Sequence, residues 1–178
     1  MEAYVAPRSM RDREGAQDRE YAHLVLLAKN DAGYRNLMQL ASEAFLHGFY
    51  YKPRIDYDLL EAHAEGLVCL SACLAGDIPQ ALLSGRYDDA KRLGERLHRM
   101  FGDDFYIELQ DHGLEEDQAV LPQLIRLARE TGIPMVATND AHYITKEDAK
   151  MQSILLCIQT GKTINDVDRM EFQTDEFY

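Results

Sequence analysis

The chain is short of positive charge. Nineteen lysines and arginines face 31 aspartates and glutamates, leaving a formal net charge of −12 over 178 residues. So acidic a surface repels phosphate backbones, which makes the segment a poor direct binder of nucleic acid. Such a role would come through a partner domain, or through metal ions that invert the sign locally. Cysteine is scarce too: Cys69, Cys73 and Cys157 form an odd set without a short-range pairing framework, as expected for a reducing compartment. Apolar runs are short and interrupted by charge, so neither a membrane span nor a signal peptide is expected, and the cytoplasm is the default location. Several chemistries lack their signature. The one Gly-Lys pair, Gly161-Lys162, has no upstream glycine of a phosphate loop. There is no nucleophile elbow, no Cys-x-x-Cys pair and no basic run that could track a backbone.

What is present is ordinary globular material. Hydrophobic residues make up 46% of the chain, enough to bury a core. Short apolar stretches at Met1–Val5, His23–Ala28, Gly66–Cys73, Asp104–Gln110 and Ile133–Asp140 read as strands. Between them, helical spacing of apolar residues predicts helices over Arg35–Phe49, Asp58–Ala64, Ile78–Leu83, Asp88–Met100 and Glu115–Glu130. Arg8–Tyr21 and the stretch Tyr50–Asp56 read as loops, the latter broken by Pro53. Thr145 followed by Asp148 resembles an acidic capping box for a helix reaching about Ile158. Strands alternating with amphipathic helices predict an α/β fold, either a parallel sheet or a barrel.

In parallel α/β architectures the reactive residues gather where strands end at their carboxyl edge. Gly66–Cys73 ends in Ser71 and Cys73, Asp104–Gln110 leads to Glu108, Asp111 and His112, and Ile133–Asp140 leads to Asp140 and His142. His23 is the exception, since it opens its strand. Asp140 and His142 form the sharpest pair: in an extended chain residues i and i+2 point to one side, so both could reach one zinc or manganese ion. A solvated aspartate beside a turn-bonded histidine satisfies the same pattern. Cys73 is a small buried hydrophobe or a thiolate ligand, while Cys69 and Cys157 read as core. Glu108, inside an apolar strand, must be paired or functional. His112 reads as a turn residue, and Glu2 carries no signal of its own.

The stretches "VATNDAHYITKEDA" and "ILLCIQTGKTI" resemble the PHP (polymerase and histidinol phosphatase) domain of the alpha subunit of bacterial replicative DNA polymerase III. The stretches "HLVLLAKNDAGYRNLMQLAS", "GFYYKPRID", "EGLVCLSACLAGDIPQALL" and "FYIELQDHGLEEDQ" are similar to that family in the same order, as is "EAYVAPRSM" at the start. The resemblance implies a distorted (β/α)7 barrel, here partial, with a polynuclear metal site at the carboxyl ends of its strands. It implies metal ligands at Glu2, His23, Cys73, Asp140 and His142, and leaves Glu108 and Asn139 as residues supporting them. Zinc or manganese is the implied ion, with magnesium serving the polymerase palm elsewhere in such proteins. The family's opening His-x-His segment, the next acid and a further histidine would all precede Glu2, so part of the ligand set is expected to be missing. Residues 1–160 are then expected to be the C-terminal two-thirds of the domain, and 161–178 the start of a connection to the polymerase core. The palm with its catalytic aspartates would lie beyond Tyr178.

Three functions follow from the resemblance. The first is membership of a DNA-directed DNA polymerase, acting on primer-template DNA with a sliding clamp, an exonuclease subunit and a clamp loader as partners. The second is a metal-dependent 3′–5′ proofreading exonuclease. The third is a catalytically silent scaffold for the polymerase core. Lacking the palm and part of the ligand set, the segment by itself is expected to show little or no activity, and exposed sheet edges are expected to make it marginally stable.

Overall fold

The computed structural model describes residues 1–178. Seven strands form a sheet: β1 (Glu2–Val5), β2 (Ala22–Ala28), β3 (Phe49–Tyr50), β4 (Lys52–Ile55), β5 (Leu67–Leu70), β6 (Phe105–Leu109) and β7 (Met135–Ala137). Their order across the sheet is β3-β4-β1-β2-β5-β6-β7. The helices are α1 (Asp31–Leu46), α2 (Tyr57–Ala62), α3 (Asp77–Leu83), α4 (Tyr87–Phe101), α5 (Glu115–Thr131) and α6 (Ala149–Thr160). No helix is long and apolar enough to cross a membrane.

The α/β expectation holds, but the sheet is mixed. β1 runs parallel to β4, and β5, β6 and β7 run parallel in turn. β2 is antiparallel to both its neighbours, β1 and β5. The cause lies in the connection. Parallel strands need a crossover of a dozen or more residues, usually a helix. Between β1 and β2 the chain forms a single 3₁₀ turn, Ala16–Arg19, and folds back beside its starting strand. The reversal brings the amino end of β2, and with it His23, to the edge where β1, β4, β5, β6 and β7 end. A histidine that opens its strand thus joins residues that close theirs. β3 and β7 form the two edges of the sheet.

Alternation along the strands separates two faces. Ala3, Val5, Leu24, Leu26, Cys69, Phe105 and Ile107 are buried in one 23-residue core that also takes in Leu40 of α1, Leu60 of α2, Leu82 of α3, Leu97 of α4 and Leu127 of α5. Five helices therefore cover one face. Glu2, Tyr4 and His23 belong to the opposite face, in register across β1 and β2, and Glu108 follows from the pairing of β5 with β6.

Local chemistry sets the helix boundaries. Asn30 Oδ1 accepts from the Gly33 backbone N–H at 2.9 Å to cap α1, and Asp56 Oδ1 accepts from the Leu59 N–H at 2.9 Å to cap α2. The Thr145–Asp148 capping contact forms as expected, with the Thr145 N–H and hydroxyl both donating to Asp148 Oδ2 at 3.0 Å, just ahead of α6. Two expectations change. α1 stops at Leu46, short of Phe49, and the stretch around Pro53 forms the hairpin β3–β4 in place of a loop. Arg54 is the reason for both. Its backbone N–H and its Nε both donate to the Gly48 carbonyl, at 3.4 and 3.2 Å, drawing the chain into the sheet. The fully buried guanidinium also donates to the carbonyls of Asp18, Met10 and Asp12 at 2.5, 3.1 and 3.0 Å, which pins the long β1–β2 loop.

Candidate metal centre

Three of the five expected ligands meet at one histidine. Glu2 and His23 lie on adjacent antiparallel strands, His23 opposite Tyr4 and Glu2 one same-face position along. That offset lets Glu2 Oε1 reach His23 Nδ1 at 2.5 Å. Cys73 arrives from the turn after β5, with its Sγ 3.8 Å from the same Nδ1. The turn is held over His23 by backbone pairing, the His23 N–H donating to the Ala75 carbonyl at 3.0 Å.

Asp140 stands close enough to this group for its charge to act on Cys73. Burial pushes the Cys73 thiol up to about 11, and the negative charges of Asp140 and Glu2 push in the same direction. The thiol is therefore neutral near pH 7, and an ion bound there would have to displace its proton.

His142 stands apart. The same-side argument for Asp140 and His142 assumed an extended chain, but β7 stops at Ala137 and Asp140 has φ 44°. The two residues lie in a turn beyond the strand, so their side chains do not follow strand alternation. His142 Nδ1 lies 2.6 Å from the Asp140 carbonyl, and its ring packs on Phe172 and Phe177 at centroid distances of 4.8 and 5.7 Å. A carbonyl can only accept, so Nδ1 carries the hydrogen and Nε2 keeps the free lone pair in the neutral ring.

The donor set fits zinc or manganese in kind, since it offers carboxylate, imidazole and thiol. It is not gathered around a point: no group of three or more His, Cys, Asp and Glu side chains is arranged to hold an ion. Glu2, His23 and Cys73 come nearest, Asp140 faces them electrostatically, and His142 would have to shift to join.

Glu108 braces the site without touching it. It is 4% exposed, and its Oε1 accepts from the Thr138 hydroxyl at 2.5 Å and from Gln110 Nε2 at 3.1 Å. Its backbone N–H donates to Ser71 Oγ at 2.8 Å. Ser71 and Thr138 stand two residues before Cys73 and Asp140, so one buried residue ties together both ligand-bearing turns. Glu108 Oε2 is buried without a partner. Asn139 faces away, its side-chain amide donating to the Glu176 carbonyl at 2.8 Å.

Two residues matter more than their sequence context suggests. His112 is buried rather than a loose turn residue: its Nε2 donates to the Asn139 carbonyl at 2.9 Å, and its backbone N–H donates to buried Asp117 at 2.8 Å. Phe177, from the aperiodic tail, stacks on the His112 ring at 4.0 Å. Short of a buried-histidine pattern, only the isolated aromatics in a polar tail hinted at this contact.

Comparison with known proteins gives the chain's family. Residues 1–112 match the PHP domain family. Over 99% of its length the chain is 54% identical to DNA polymerase III subunit alpha of Treponema pallidum, and over 99% it is 52% identical to that of Thermus aquaticus. It is 46% identical over its full length to the subunit of Borreliella burgdorferi. The chain spans only 15–16% of the length of these relatives. Since the match takes in Glu2, His23, Cys73 and Glu108 and well over half of the residues, the chain belongs to the PHP domain family.

Proposed function

We propose that the chain is the PHP region of a bacterial DNA polymerase III alpha subunit, a DNA-directed DNA polymerase whose nucleotidyl-transfer residues lie outside these 178 residues. The observation that carries this is the end-to-end similarity at 46–54% identity to proteins of that name. Primer-template DNA, the sliding clamp, the clamp loader and an exonuclease subunit are partners of the whole protein. The formal charge of −12 keeps this segment off the DNA itself.

Within that role, Glu2, His23, Cys73 and Asp140 would hold a divalent ion, zinc or manganese, with His142 as a fifth donor. When bound, the ion would act as a Lewis acid and lower the pKa of bound water. The chain's own contribution is positional. Glu2 Oε1 and Cys73 Sγ both approach the one imidazole nitrogen, Nδ1 of His23, so three donors that could share an ion stand together. Glu108 holds the two turns at a fixed spacing.

The test is a chimera. Replacing the matching region of the Thermus aquaticus subunit with this chain should leave primer extension intact, and zinc should co-purify. A folded chimera that cannot extend a primer overturns the assignment.

A further inference from the structure

The tail from Phe172 to Tyr178 has no regular structure, yet its last residues are tied to the Asn139–Tyr143 turn and to nearby Lys146. The His142 N–H donates to the Phe177 carbonyl at 2.8 Å, and the Tyr143 hydroxyl accepts from the Phe177 N–H at 3.2 Å. The Asn139 side chain donates to the Glu176 carbonyl. Lys146 pairs with Asp175 at 3.2 Å and with Glu176. Phe177 is 7% exposed, although the adjoining Glu176 is only half-buried and Tyr178 is exposed. From the other side, His112 stacks on Phe177 while its Nε2 donates to the Asn139 carbonyl, one residue before Asp140.

We propose that residues 172–178 are an integral part of the Asp140/His142 site, with Phe177 and His112 as positioning residues that set where this turn presents its two donors. The proposal rests on the metal reading above and deepens it. Three features support it. Asp140 adopts a left-handed backbone, φ 44°, which persists only where surroundings over-determine it. The clamp supplies that surrounding on both sides, through His112 and through the Phe177 backbone. The His142 ring is fixed by two aromatic neighbours and by the Asp140 carbonyl, which selects the tautomer with Nε2 free. Phe177 lies outside the 23-residue core, so its burial belongs to this turn.

The experiment uses the full 178-residue chain with zinc alone as probe. Amide hydrogen exchange is read at His142 and Tyr143, zinc affinity by chelator competition, and the fold by circular dichroism. Phe177→Ala is expected to deprotect both amides and to weaken zinc binding at least about tenfold, the usual cost of losing a residue that orients a ligand. Phe177→Tyr, which keeps the stacking ring, should restore both, and His112→Ala should reproduce the Phe177→Ala loss with its spectrum unchanged. If the wild-type chain binds no zinc, the metal reading fails and takes this inference with it. If wild type and Phe177→Ala bind zinc equally, the inference alone fails. Should Phe177→Ala unfold, His112→Ala decides by the same two readouts.

Discussion

Glu2 Oε1 lies 2.5 Å from His23 Nδ1, and Cys73 Sγ lies 3.8 Å from that same nitrogen. Glu2 is the first residue of a four-residue strand, and its reach to His23 depends on the antiparallel pairing of β1 with β2. Glu2→Gln keeps the side-chain shape and removes the charge. With the carboxylate gone, zinc affinity should drop by at least about tenfold, the scale seen when even a ligand's supporting partner is lost. Chelator competition on the purified chain reads this directly, and a wild-type affinity would remove Glu2 from the site.

The Cys73 thiol gives a pH prediction. Burial first, and then the charges of Asp140 and Glu2, hold its folded value up to about 11. In the unfolded chain a thiol ionises at about 8.5. Above that pH the unfolded thiol loses its proton while the folded one keeps it, so ionisation favours unfolding. The stability contributed by the neutral folded thiol is fully present below about 8.5 and is lost as pH rises toward about 11. Cys69, pushed up by burial and by the Glu108 charge, acts in the same direction. Urea denaturation of the metal-free chain between pH 8 and 10 should show falling stability, with a shallower slope in Cys73→Ser and the remainder due to Cys69.

Much of this arrangement was legible in the sequence, for identifiable reasons. Short apolar stretches located β1, β2, β5 and β6, because each has a face in the single core. Cys73 was legible by position, since a residue just past a buried strand must emerge at the sheet edge. The antiparallel placement of β2 was not legible, because it depends on how the Ala6–Tyr21 loop folds back, and that loop is anchored by Arg54 from a distant strand. The same-side geometry of Asp140 and His142 failed because the strand was expected to run to Asp140, whereas it stops at Ala137 and the chain takes a left-handed conformation at Asp140. His112 was underestimated for a related reason. Its partners Asn139 and Phe177 lie 27 and 65 residues away, beyond any local signal.

Glu108 links the two turns that carry Cys73 and Asp140, and its removal should be felt at both. Glu108→Ala leaves the Thr138 hydroxyl without its acceptor and the Gln110 amide with Thr138 Oγ1 alone. Stranding such donors costs about 1–3 kcal/mol. Glu108→Gln retains one acceptor oxygen and should cost less. Denaturant midpoints rank the two variants. Faster exchange of the Asn139 and Asp140 amides in Glu108→Ala would place the loosening at the site, whereas uniform loosening would make Glu108 an ordinary core residue.

Arg54 ties β4 to Gly48 and to the long β1–β2 loop through four backbone carbonyls. It is fully buried, and burial depresses its pKa, yet a guanidinium remains charged throughout the accessible range. Its donors reach the carbonyls of Gly48, Asp18, Met10 and Asp12. Nearby Asp18 is also buried; burial pushes its carboxyl up, but the Glu14 N–H and the Arg8 guanidinium outweigh this and hold it below the usual range. Arg54→Met fills a similar volume without donors, so several carbonyls lose their partners and Asp18 loses a nearby positive charge. Breaking such a buried charged network costs about 3–5 kcal/mol, and the Met10–Asp18 loop should lose exchange protection first. Arg54→Lys supplies one ammonium for carbonyls spread around a planar fork and should fall between wild type and Arg54→Met. Urea melts of the three proteins check the order, and a lysine variant as stable as wild type would show that charge alone, without the fork, holds the loop.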